Sequence, residues 1–122
     1  MSLLKFLGHD SGHKGARHWR AQRLGALALI PLTTWFVSAL AFLPDYRFET
    51  MHAWAAVPWR ALLVSLLVFC MAWHSQLGVQ VVIEDYVPGK SARSWALRFN
   101  TLAHLLLGAA GIFAAASIAF KG

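Results

Sequence analysis

Residues 24–43 run for 20 positions without a charged side chain. At about 1.5 Å per residue, a helix of that length crosses a hydrocarbon core of about 30 Å. Two more stretches, about 59–83 and 97–120, are as apolar, each carrying one charge near its start, Arg60 and Arg98. Lipid offers no partners for peptide N–H and C=O groups, so blocks like these are helices. With 58% hydrophobic and 13% charged residues, the chain is too apolar for a soluble domain. The expectation is an all-α membrane protein with three transmembrane helices. Its 122 residues leave little mass outside the bilayer, so any catalysis at a soluble site belongs to a partner.

The net charge of +6 raises nucleic acid as a ligand, yet the basic residues cluster at the ends of the apolar blocks. There they act as topology signals, and the lipid bilayer, not nucleic acid, is the expected contact. Lys5, Lys14, Arg17, Arg20, Arg23, Lys90, Arg93 and Arg98 fall on one side of the membrane; Arg47, Arg60 and Lys121 fall on the other. The positive-inside rule makes the N-terminus cytoplasmic and the C-terminus external. Cys70 is the only cysteine, which excludes an internal disulfide, a CxxC motif or a cysteine-held iron–sulfur cluster built from this chain alone.

Residues 1–23 are expected to form a cytoplasmic N-terminal segment, and 24–120 a single three-helix anchor domain. Residues 3–7 are too short, and Lys5 too polar, for the apolar core of a signal peptide. Gly8, Gly12 and Gly15 predict a loop or turn before a short amphipathic approach. Pro31 predicts a kink in the first span, its freed carbonyl met by Thr34 or a neighbouring helix. Residues 45–58 read as a polar and aromatic connection with Tyr46, Trp54 and Trp59 as interfacial anchors. Pro88 and Gly89 mark a turn before the third span. Gly108, Gly111 and Ala115 continue a stripe from His104 and offer a smooth surface for another helix. No internal repeat suggests an inverted-repeat transporter.

Polar chemistry concentrates in HSQLGVQVVIEDY, residues 74–86. On a helix His74, Gly78, Val81 and Asp85 share one face. The imidazole lies about 16 Å deeper than the Asp85 backbone. Inside a membrane His74 must find a hydrogen bond, line a cavity or bind a metal. It reads either as an axial ligand to haem iron, with Gly78 leaving room for a flat macrocycle, or as a histidine bonded across a helix interface. His104, expected about one turn shallower, reads as a haem ligand, a propionate contact or a packed histidine. Tyr86 suits hydrogen-bond donation to a quinone carbonyl, and Asp85 suits proton exchange at the water boundary. Glu84 reads as a solvated cap. Arg23, at the mouth of the first span, suits a propionate, a reduced quinone or simple anchoring.

His74 followed eleven and twelve residues later by Asp85 and Tyr86 resembles the hydrophobic membrane anchor of bacterial succinate dehydrogenase, the smaller D-type subunit of haem-containing succinate:quinone oxidoreductases. The approach is similar too, with Gly12, Gly15 and Arg23 at matching spacing. The resemblance implies a three-helix anchor packed with a second membrane subunit into a helical bundle around haem. It implies His74 as one axial ligand of haem b, the other coming from a cytochrome b556-type membrane subunit. Tyr86 would bind ubiquinone with support from Asp85; Arg23, and more weakly His18, would lie near the quinone and propionates. His104 stands outside the pattern. An iron–sulfur subunit and a flavoprotein subunit would complete the enzyme at the bacterial inner membrane, and this chain alone would not oxidise succinate. The alternatives are a fumarate reductase anchor, or a small transporter or assembly protein whose intramembrane histidine is a relay or structural hydrogen bond.

Overall fold

The computed structural model describes residues 14–121. They form α1 (Lys14–Ala41), α2 (Phe48–Ala55), α3 (Pro58–Tyr86) and α4 (Lys90–Lys121). α1, α3 and α4 are long and apolar enough to cross a membrane. The described residues are therefore all-α, and the chain is a multi-pass membrane protein.

α1 starts well before its apolar block, with Gly15 in its first turn rather than in a loop. The first-turn amides have no partner within the helix, so glycine there costs only backbone freedom, about 1 kcal/mol. The rest of the glycine-rich approach, Gly8 and Gly12, lies outside the described residues. α1 runs unbroken through Pro31. The Thr34 hydroxyl donates to the Ile30 carbonyl at 2.7 Å. It therefore does not serve the Leu27 carbonyl four residues before Pro31, because a threonine reaches back one turn to its own i−4 position.

The connection after α1 holds a helix that the sequence pattern did not suggest. The Thr50 side chain of α2 and the Arg47 N–H, which donates to Asp45 Oδ1 at 3.0 Å, hold the carboxyl of Asp45, just before the helix, below its usual range. Trp54 of α2 then meets Trp35 at 5.7 Å and Phe36 at 6.1 Å between ring centroids, while Trp35 lies 6.2 Å from Trp59. The Arg60 guanidinium lies over Trp54 and Trp59 at 5.4 and 5.2 Å, and its Nη1 donates to the Trp54 carbonyl. Aromatic faces and a cation close this end of the molecule.

At the other end Gly89 takes φ 85°, the left-handed conformation that favours glycine. The Arg93 amide caps onto its carbonyl and Arg93 Nε donates to the Val87 carbonyl.

α3 is the middle helix, packing on α1 along one flank and α4 along the other, and among the described residues the α1 and α4 backbones do not pack on each other. A row of three leaves broad faces uncovered, and the buried apolar core is thin: Ala61, Leu67, Cys70 and Leu77 of α3 with Ala115 of α4. The small-residue stripe of α4 is used within the chain. A Cβ on Gly108 would stand 3.3 Å from Ala72 Cβ, and one on Gly111 would stand 2.8 Å from Val68 Cγ1. The helix received on that surface is α3 itself, because small residues let the two backbones approach closely.

Candidate functional site

His74 faces α1. A Cβ added to Gly25 would lie 3.8 Å from His74 Cβ and 3.9 Å from its Nδ1. The His74 Nδ1 is buried with no hydrogen-bond partner, whereas Nε2 is not among the sealed atoms. Gly78, one turn along the same face, has nothing within 4 Å of where a Cβ would stand. The arrangement is one ring nitrogen closed in, the other open, and clear space beside it.

That contact also sets levels along the membrane normal. α1 and α3 run antiparallel, so with Gly25 beside His74, Arg23 is level with about Gln76. Tyr86 then lies ten residues further along α3, about 15 Å away along the axis. Arg23 is exposed and its guanidinium sits 5.1 Å over the Trp19 ring. Among the described residues no hydrogen bond or ion pair joins Arg23 or His18 to Asp85 or Tyr86. His18, seven residues before Gly25 and on the same face of α1, has a buried Nε2 without a partner. Asp85 is exposed, and Tyr86 is 79% exposed at the end of α3. The structure brings His74, Gly25 and Gly78 together and keeps the Asp85–Tyr86 pair apart at the helix end.

His104 has different surroundings. Its Nδ1 lies 2.9 Å from the Asn100 carbonyl, which can only accept, so the proton is on Nδ1. Nε2 of the neutral ring then accepts from Ser75 Oγ at 3.0 Å. The Ser75 contact puts His104 at the depth of His74, not one turn shallower, and both its nitrogens are used within the chain. Below it the α3–α4 contact continues as a polar ladder. Asn100 Nδ2 donates to the Gln76 carbonyl at 3.0 Å and Gln76 Nε2 donates to Thr101 Oγ1 at 3.4 Å; along α3 itself Gln76 Nε2 also donates to Gln80 Oε1 at 3.5 Å, and Gln80 Nε2 donates to Glu84 at 2.9 Å. Glu84 is thus the ladder's acceptor end as well as a helix terminus.

Sequence reasoning passed over Gln76, Gln80, Asn100 and Thr101. The signal was there: amides at 76 and 80, one turn apart within an apolar span, must find partners. It also passed over Gly25, which carries no chemistry of its own. A groove of about 400 Å³ lies between α3 and α4, lined by Trp73, Gln76, Thr101, His104 and Gly108 among others. It opens beside His104 and does not include His74. Among the described residues no three histidine, cysteine or acidic side chains are gathered as a metal-binding group.

Residues 6–115 match the family model described as "Succinate dehydrogenase/Fumarate reductase transmembrane subunit". The chain belongs to this family. A succinate dehydrogenase hydrophobic membrane anchor subunit of Paracoccus denitrificans is 30% identical over 109 residues, covering 89% of this chain and 84% of the relative. A protein of the same name from Rickettsia typhi is 26% identical over 85 residues, covering 70% and 68%. One from Rickettsia bellii is 25% identical over 92 residues, covering 75% and 74%. No solved structure gives a significant match. Membership in the succinate dehydrogenase/fumarate reductase transmembrane subunit family places this chain among the membrane parts of an enzyme complex, and sets aside an unrelated transporter or assembly protein. It also accounts for the uncovered faces of the three-helix row, which a membrane subunit of a complex shares with lipid and other chains.

Proposed function

We propose that this chain anchors succinate dehydrogenase in the bacterial inner membrane, gives one axial ligand to a haem b, and contributes part of a ubiquinone site. The observation that carries the haem assignment is His74 with Nδ1 sealed, Nε2 open and Gly78 clear beside it. A neutral imidazole with an accessible lone pair on one nitrogen is what haem iron takes from a protein helix. Bound haem b supplies a one-electron carrier at this depth. The second ligand would come from the cytochrome b556-type subunit, which the open faces beside α3 leave room to receive.

The remaining assignments follow from level. Arg23, at about the depth of Gln76, would meet a haem propionate rather than a group beside Tyr86. Tyr86, a neutral phenol at the helix end, donates a hydrogen bond to a quinone carbonyl. Asp85, exposed next to it, holds and passes the protons that quinone reduction consumes. His18 lies between these levels on α1 and would form the inner wall of the quinone pocket. His104, with both nitrogens engaged, holds α4 to α3 and takes no propionate. The basic residues of the N-terminal segment and the α3–α4 turn would face the cytoplasm, against the iron–sulfur and flavoprotein subunits. The family includes fumarate reductase, and the same residues would serve that direction; the names of the relatives favour succinate oxidation.

The test is succinate-driven ubiquinone reduction by a complex purified through a tag on this chain. Activity and haem absorbance are expected to follow the tag. Tyr86→Phe removes one hydrogen bond, worth about 1.4 kcal/mol, and should slow turnover about tenfold with haem content unchanged. A preparation without flavoprotein, or loss of haem on Tyr86→Phe, would overturn the reading.

A further inference from the structure

The two nitrogens of His74 differ in what can reach them. Nδ1 is buried by this chain alone, so a second subunit cannot supply it with a partner. α1 covers it at Gly25, where a Cβ would stand 3.9 Å from Nδ1 and 4.0 Å from Trp73 Cε3. These are ordinary van der Waals distances, so the site has room for a methyl group, but glycine presents no side-chain acceptor. Nor does a backbone carbonyl of α1 accept from it: among the described residues His74 Nδ1 has no hydrogen-bond partner of any kind.

A histidine that gives Nε2 to iron keeps its proton on Nδ1. In most metal-bound histidines that N–H donates to a carboxylate, carbonyl or water, which makes the imidazole a stronger donor. A stronger donor stabilises the more positive, oxidised iron and lowers its potential. We infer that Gly25 is a positioning residue for His74: it sets α1 against the ring without offering an acceptor, leaves the Nδ1 proton unbonded, and so holds the potential of the haem up. The inference rests on His74 being the ligand. It ties a residue of α1 with no reactive group to the electronic tuning of a cofactor held by α3.

The experiment is a redox titration of haem in the purified complex, unaltered and with Gly25→Ala and Gly25→Ser. Alanine tests packing alone; serine adds one oxygen within reach of Nδ1. The Gly25→Ala haem should titrate close to the unaltered one. The Gly25→Ser haem should titrate at lower potential, with the electron paramagnetic resonance g-values of its oxidised form moved toward a stronger axial donor. Identical potentials and g-values in the two variants would overturn the inference. Should Gly25→Ser not assemble, electron–nuclear double resonance of the unaltered complex in D₂O decides: an enclosed, unbonded Nδ1 proton exchanges slowly, and immediate exchange overturns the inference. His74→Leu separates the two layers of argument. Unchanged haem in that variant removes the ligand assignment and this inference together, whereas haem lost there with Gly25→Ser matching Gly25→Ala removes the inference alone.

Discussion

α3 makes two long contacts, and they treat polar groups in opposite ways. Against α4, Ser75, Gln76, Asn100 and His104 all find partners across the helix pair, and among the described residues the buried atom left over on this side is Asn100 Oδ1. Against α1, His74 Nδ1 and His18 Nε2 are buried and unanswered. A polar group in a membrane is expensive unless paired, so the α4 side reads as the chain holding itself together. The α1 side carries polar groups that self-folding does not use. On the proposed reading, the pattern separates architecture from function along two flanks of a single helix.

The sharpest way to break the comparison uses the two histidines at one depth. His74→Leu should remove the haem absorbance of the purified complex almost entirely. His104→Leu should keep it and instead loosen the α3–α4 contact by about 1 kcal/mol, read as a lower thermal midpoint. Haem loss in both variants, or in neither, would end the distinction between the flanks. A smaller effect compares two glycines. Gly111→Val pushes branched carbons into Val68, already 2.8 Å from where a Cβ would stand, and should cost about 1–3 kcal/mol. Gly25→Ala, with nothing closer than 3.8 Å, should be nearly neutral in stability. The smallest effect lies outside both flanks. The Asp45 carboxyl is held below its ordinary value, so the anchoring it gives α2 is present above the unfolded carboxylate pKa and is lost as pH falls through the lower, folded value. Trp54 fluorescence should follow that loss in acid, and Asp45→Asn should abolish its pH dependence.

The three spans and the turn at Pro88 and Gly89 were legible because length, hydropathy and a glycine with positive φ are local properties. α2 was not legible. Its eight residues are too few to show a period, and Trp54 is held by Trp35 and Phe36 from a helix elsewhere in the chain. The stripe of Gly108, Gly111 and Ala115 was visible as a packing surface, but a stripe does not say which helix fills it. The register that joins Ser75 to His104 is a property of two helices together, so the relative depth of His74 and His104 could not be read from either span. The spacing of His74, Asp85 and Tyr86 marked one face of α3, while Gly25, which lies against His74 in the fold, gave no signal in the sequence because it has no side chain.

Cys70 lies one turn before His74 and is only 6% exposed. As the single thiol of the chain it can serve as a timer. Alkylation needs an open path to the sulfur, and tightly packed helices leave none. The rate at which a small maleimide labels this sulfur therefore measures how often α3 parts from its neighbours. Watched during biogenesis, it would date the moment when α3 settles between its neighbouring helices.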